Sequence, residues 1–271
     1  MTEAAVQTAR VIQTRTFHLW KTLESYRTDI WLLSILILPV IATVATLIWL
    51  PKIGVYVNTS AVALLLSLGL WRKEIRKLAI SIALIPVVNM VSLCLPQNSI
   101  LNQGVIYYDG LLILGLIYYN LFTQKRPLKK SKLNTKGYAI ALPLMLGLGL
   151  LIGLFGYGLL RNHYMFTGIP LGQVAAVCII AAIAEEVIFR GLIQKNGNVI
   201  MPSAMSAAMT IILYACLGLN HNTVLTFATA LITGTVLSII YYLKPNLILT
   251  MTVNAISKLT YVGLITAFVI H

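Results

Sequence analysis

Long apolar runs separated by short polar stretches dominate the chain, and the length of the runs is the first structural signal. A run of roughly 17 to 25 apolar residues can cross the hydrocarbon core of a bilayer as a helix. Nine segments qualify: 30–50, 54–70, 78–95, 105–123, 138–160, 173–194, 203–220, 223–243 and 246–270. Pro39 and Pro86 fall inside two of them, which membrane helices tolerate where neighbours satisfy the released carbonyls. The second run is short and stops sharply at Trp71-Arg72-Lys73-Glu74. The pattern predicts an all-α protein, a polytopic transmembrane helix bundle of about 8–9 spanning helices. One or two of these are open to a re-entrant reading.

Composition agrees. Charged residues make up 10% of the 271 positions, hydrophobic residues 59%, and the mean hydropathy is +0.88. Soluble domains carry about a quarter charged residues, so a soluble enzyme, a disordered linker and a disulfide-stapled module are all excluded. Cys94, Cys178 and Cys216 lie within apolar runs without paired spacing. They read as small core residues rather than as metal ligands or disulfide partners. The first 29 residues are polar and mixed in charge, so no cleavable signal peptide is expected.

Lys and Arg total 20 against 7 Asp and Glu, for a net charge of +13. In a membrane protein this excess belongs to cytoplasmic loops and anionic headgroups, not to nucleic acid. The distribution supports that reading. Basic residues are frequent before residue 30, at 72–77 and in the linker KRPLKKSKLNTK, and scarce in the intervening connections. The alternation places the N-terminus in the cytoplasm of a bacterial-type plasma or internal membrane. Four regions follow: a cytoplasmic or interfacial segment at 1–29, N-terminal membrane helices at 30–124, a basic linker at 125–137, and core membrane helices at 138–271.

Acids within the bilayer are costly and mark candidate functional sites. Glu3, Glu24, Asp29, Glu74 and Asp109 fit water or the interface, which leaves the adjacent pair Glu185-Glu186 in AAIAEEVIFRGLIQ. Glu186 and Arg190 are four apart and share one helical face, where they can pair. Glu185 is turned about 100° from Glu186, toward a different helix or a cavity. It is either a general base or a packing acid bound to a neighbouring polar group. His221, at the end of the run TIILYACLGLN, is either an interfacial residue or the proton carrier that a glutamate base would use. Asn254 and Lys258 lie four apart on an otherwise apolar helix. They are read either as converging hydrogen-bond donors or as an interhelical amide beside a lysine that snorkels or pairs with an acid. Adjacent helical carboxylates point apart and there is no HExxH, so neither a metal nor another cofactor is expected.

Glu185-Glu186-xxx-Arg190, then His221, then a polar pair four apart, resembles the CPBP family of intramembrane glutamic proteases, the CAAX prenyl endopeptidase and Abi-type proteins. The resemblance covers roughly residues 140–270, and EEVIFRG is its most specific part. It departs from the family pattern at Leu217, where a phenylalanine is usual, and at Asn254 and Lys258, which stand where the family has histidine and asparagine. The resemblance implies a membrane-embedded cavity open to the cytoplasm, with Glu185 and His221 activating water and Glu186–Arg190 in support. Asn254 and Lys258 would then serve as oxyanion donors.

Three functions are consistent with these residues. The first is a metal-free intramembrane endopeptidase acting on a peptide or membrane-protein substrate. The second is a catalytically inactive relative that binds and regulates or scaffolds a membrane protein partner. The third is a transporter, motivated by the intramembrane charges, although no matching pair of broken helices supports it.

Overall fold

The computed structural model describes residues 31–45, 51–94, 110, 115, 117, 135–160, 171–219 and 224–269. The described residues contain no strand, as the length and periodicity of the apolar runs require. Two compact units are distinguished, Met1–Leu38 and Pro39–His271. The described part of the first is residues 31–38, which belong to the apolar helix α1 (Trp31–Ala45).

The second unit carries the remaining elements: α2 (Pro51–Trp71), α3 (Arg76–Cys94), α4 (Thr135–Leu160), α5 (Leu171–Glu186), a π-helix (Val187–Gln194), α6 (Lys195–Ile200), α7 (Ser203–Leu219), α8 (Val224–Leu243) and α9 (Leu247–Val269). Their ends fall within a few residues of seven of the predicted runs. The fourth run, 105–123, and the basic linker lie almost wholly outside the described residues.

By length and composition, three helical segments among the described residues can cross a membrane: Ile53–Trp71, Thr226–Leu243 and Leu247–Leu264. Trp31–Ala45, Leu146–Gly158 and Ser203–Cys216 are apolar but shorter. The exposed faces are apolar, with Leu151, Leu154 and Phe155 on α4 and Ile239, Tyr242 and Leu243 on α8. An exposed apolar surface of this kind marks a membrane or protein contact.

Two helix pairs frame the site. Helix α4 packs on α9 through small residues. A Cβ at Gly149 would stand 2.8 Å from the Ile256 side chain, and one at Gly153 would stand 2.5 Å from Thr260 Cβ and 2.7 Å from the Ser257 carbonyl. Only glycine permits backbones this close, and in lipid close backbone packing replaces the hydrophobic effect as the main source of helix association. Ile152, Leu237, Leu249 and Val253 fill the adjacent core. Helix α7 packs on α8, where Gly234 lies under the ring of Tyr214, with 2.9 Å between Tyr214 Cδ1 and a Cβ built at Gly234. These contacts set the depth at which Tyr214, Asn254 and Lys258 face α5.

Candidate active site

The site forms where α5 gives way to the π-helix. In VIFRGLIQ the backbone shifts to i→i+5 hydrogen bonding, and Lys195 N–H donates to the Arg190 carbonyl five residues back. All eight residues of this segment are buried. Single turns of π-helix are rare and concentrate at functional sites. Here the irregular turn follows immediately on the two glutamates.

Glu186 and Arg190 form the ion pair expected from their spacing. Arg190 NH1 donates to Glu186 Oε1 at 2.9 Å, with both side chains at 0% exposure. Arg190 is then fixed from two further sides. Its NH2 donates to the Gly234 carbonyl at 3.0 Å and to Ser238 Oγ at 3.4 Å, and its guanidinium lies 4.6 Å from the centre of the Tyr214 ring. A buried charge pair pays a large desolvation cost, which is offset only when its remaining hydrogens find partners. Carbonyl, hydroxyl and aromatic face supply partners for the NH2 side of the guanidinium, while Arg190 Nε and Glu186 Oε2 have none among the described residues.

Glu185 turns to different helices, as its rotation relative to Glu186 predicted. Oε2 accepts from Tyr214 Oη at 2.7 Å and from Asn254 Nδ2 at 3.0 Å, while Oε1 accepts from Lys258 Nζ at 3.0 Å. Of the alternatives open for Lys258, pairing with an acid is the one observed, and one expectation is corrected. Glu185 has a fixed counter-charge, the Lys258 ammonium. The adjacent carboxylates do not simply diverge, because Asn254 Nδ2 donates to Glu185 Oε2 and, at 3.1 Å, to Glu186 Oε1. One amide on α9 therefore bridges both acids and uses both of its hydrogens in doing so.

The centre is electrically balanced, with two carboxylates against one guanidinium and one ammonium. Glu185 is 4% exposed and Lys258 26%, so the ammonium is the outward-facing part of the pair. The structure brings together Glu185, Glu186, Arg190, Asn254 and Lys258. His221 lies outside the described residues.

Tyr214 is the site residue that motif reasoning missed. Its ring stacks edge-on against Phe189 at 5.1 Å, and its hydroxyl makes the shortest contact to Glu185. A signal existed: Tyr214 sets a phenolic hydroxyl within the apolar stretch IILYACLGL. Among the described residues, no group of three or more His, Cys, Asp or Glu could hold a metal ion.

Comparison with known families bears on this same stretch. Residues 167–260 match the Rce1-like family model, described as Type II CAAX prenyl endopeptidase Rce1-like. The match runs from just before α5 into α9 and contains every residue of the centre. It bears out the resemblance read from EEVIFRG. No curated protein and no solved structure matches the chain. The Rce1-like segment thus coincides with the buried polar centre, and α2 and α3 lie outside it.

Proposed function

We propose that the chain is an intramembrane endopeptidase of the CAAX type, in which Glu185 activates water to hydrolyse a peptide bond of a prenylated, membrane-held peptide. One observation carries the reading: within the Rce1-like segment, a carboxylate set in an apolar helix is held by three donors from two other helices. Tyr214 and Asn254 occupy both acceptor directions of Oε2. Oε1 takes one donor among the described residues, which leaves a direction from which it can accept from water. In the proposed reaction Glu185 takes the water proton, the hydroxide attacks the carbonyl, and the proton passes to the leaving amine. His221 assists this transfer. Lys258 stands beside Oε1, where its charge stabilises the oxyanion as it forms. Asn254, whose hydrogens hold the two carboxylates, contributes to the oxyanion only by releasing one of them. Glu186 and Arg190 orient the helix.

The proposed setting is a multi-pass bundle of about 8–9 spans, with the N-terminus and the basic linker in the cytoplasm of a bacterial-type membrane. No metal or other cofactor takes part in this scheme.

The test is cleavage by purified protein in bicelles, using peptides ending in farnesyl-cysteine, two aliphatic residues and a variable residue, together with an unmodified library. New termini that appear with wild type and vanish with Glu185→Gln support the reading. Equal product from both overturns it.

A second reading is favoured by the Lys258–Glu185 contact, which resembles a closed pair as much as a poised one. In that case the chain is a non-catalytic binder of a membrane partner. It predicts a partner that copurifies in mild detergent and is retained by Glu185→Gln. Cleavage that appears only after Asn254→His with Lys258→Asn would mark a lapsed enzyme.

A further inference from the structure

The π-helix does more than place Arg190. Glu186, Arg190 and Gln194 recur at intervals of four, and all three are at 0% exposure. Together with Asn254 they form a polar seam through apolar surroundings. Arg190 and Gln194 meet at one residue of α8, since Arg190 NH2 donates to Ser238 Oγ and Gln194 Nε2 to the Ser238 carbonyl at 3.2 Å. The seam continues beyond Gln194. Ser206 Oγ donates to the Gln194 carbonyl at 2.9 Å, Asn196 Nδ2 donates to Ser81 Oγ at 3.1 Å, and Ser81 Oγ donates to the Lys77 carbonyl at 2.6 Å. Lys77 is exposed beside the basic turn at 72–76. Polar groups therefore recur from the two glutamates, through the backbone at Gln194–Asn196, to α3, whose first turn adjoins the exposed basic segment.

Four buried side-chain atoms on this track have no hydrogen-bond partner among the described residues: Glu186 Oε2, Arg190 Nε, Gln194 Oε1 and Asn254 Oδ1. Arg190 Nε can only donate, whereas the Glu186 carboxylate oxygen and the two amide oxygens accept. A small neutral group that both accepts and donates can serve any of the four, and water is the simplest. Buried polar atoms of this kind are ordinarily paired with protein or with ordered water. A cation is disfavoured beside the guanidinium, and an anion would upset the charge balance of the centre.

We infer that the Glu186–Arg190–Gln194 seam is an internal hydration site, holding ordered water against the back of the glutamate pair and supplying it from the surface near Lys77. Lys258, a quarter exposed, faces outward on the other carboxylate. Substrate and water then reach the centre by separate routes, which suits a hydrolase embedded in lipid. This function for the seam rests on the peptidase reading; the presence of the water does not.

Hydroxyl-radical footprinting by X-ray radiolysis tests it, because radicals formed from bound water label side chains that bulk water cannot reach. Tyr214 packs against Arg190, Phe189 packs against Tyr214, and the two rings are 5% and 1% exposed. Both are expected to be labelled rapidly in the wild type, and the labelling is expected to drop several-fold in Gln194→Met, with Trp71 and Tyr56 unchanged as references. Wild-type protein in which neither buried ring is labelled overturns the inference, even if it cleaves peptide. Equal labelling in wild type and Gln194→Met also overturns it. Labelling that depends on Gln194 supports the hydration site whether or not any peptide is cut, so its failure and that of the peptidase reading are separable.

Discussion

Replacing Lys258 by methionine keeps most of the side-chain volume and removes the cation that Glu185 faces. Breaking a fully buried ion pair by deleting one partner costs about 3–5 kcal/mol, because the other charge is left uncompensated in a poor solvent. Two features reduce that figure here. Lys258 is 26% exposed, so part of the pair's attraction is already screened. Glu185 also keeps the Tyr214 and Asn254 hydrogen bonds on its other oxygen. Lys258→Met should therefore destabilise by ~2 kcal/mol, below the fully buried range. Glu185→Gln should cost less, ~1 kcal/mol, because the orphaned ammonium can turn outward along its flexible stem. The double variant removes both charges together and should be more stable than the sum of the single losses by ~1–2 kcal/mol, within the usual coupling range for contacting residues. SDS-driven unfolding in bicelles, followed by tryptophan fluorescence, measures all four corners of the cycle. Additivity to within about 0.5 kcal/mol, as for residues that do not interact, would refute the claim that Lys258 neutralises Glu185.

Arg190→Met leaves Glu186 buried without its cation and should cost ~3–5 kcal/mol; adding Glu186→Gln should recover much of the folded protein, read as monodisperse yield on size exclusion. Gly153→Leu forces a side chain into space held by Thr260 and the Ser257 backbone, and should lower stability by ~1–3 kcal/mol or more. Unchanged thermal unfolding of that variant would contradict the close α4–α9 approach. Tyr214→Phe keeps the ring contacts with Phe189 and Arg190 and deletes the donor to Glu185, a charge-assisted bond of ~1.5–3 kcal/mol. In the cleavage assay kcat should fall with KM little changed. Prolonged dialysis against a chelator should leave cleavage intact, and loss restored by added zinc would overturn the metal-free scheme.

The linear spacing of residues was enough for the contacts made along one helix. The reach from Glu186 to Arg190 is set by helical geometry, and the shared face of Asn254 and Lys258 follows from the same repeat. Apolar run length placed most of the helices, because a lipid-facing helix must be apolar over its whole exposed length. Contacts between helices were not readable in this way. That Lys258 meets Glu185 rather than snorkelling, that Asn254 bridges both acids, and that Tyr214 closes the other side all depend on how far α7 and α9 advance toward α5. That distance is set by Gly234 beneath Tyr214 and by Gly149 and Gly153 against α9, residues with no chemistry of their own. The π-turn is likewise invisible in VIFRG, since it alters the backbone bonding of an ordinary apolar stretch and is stabilised only by what packs around it. Local periodicity decided which side chains could act together, and tertiary packing decided which of them meet.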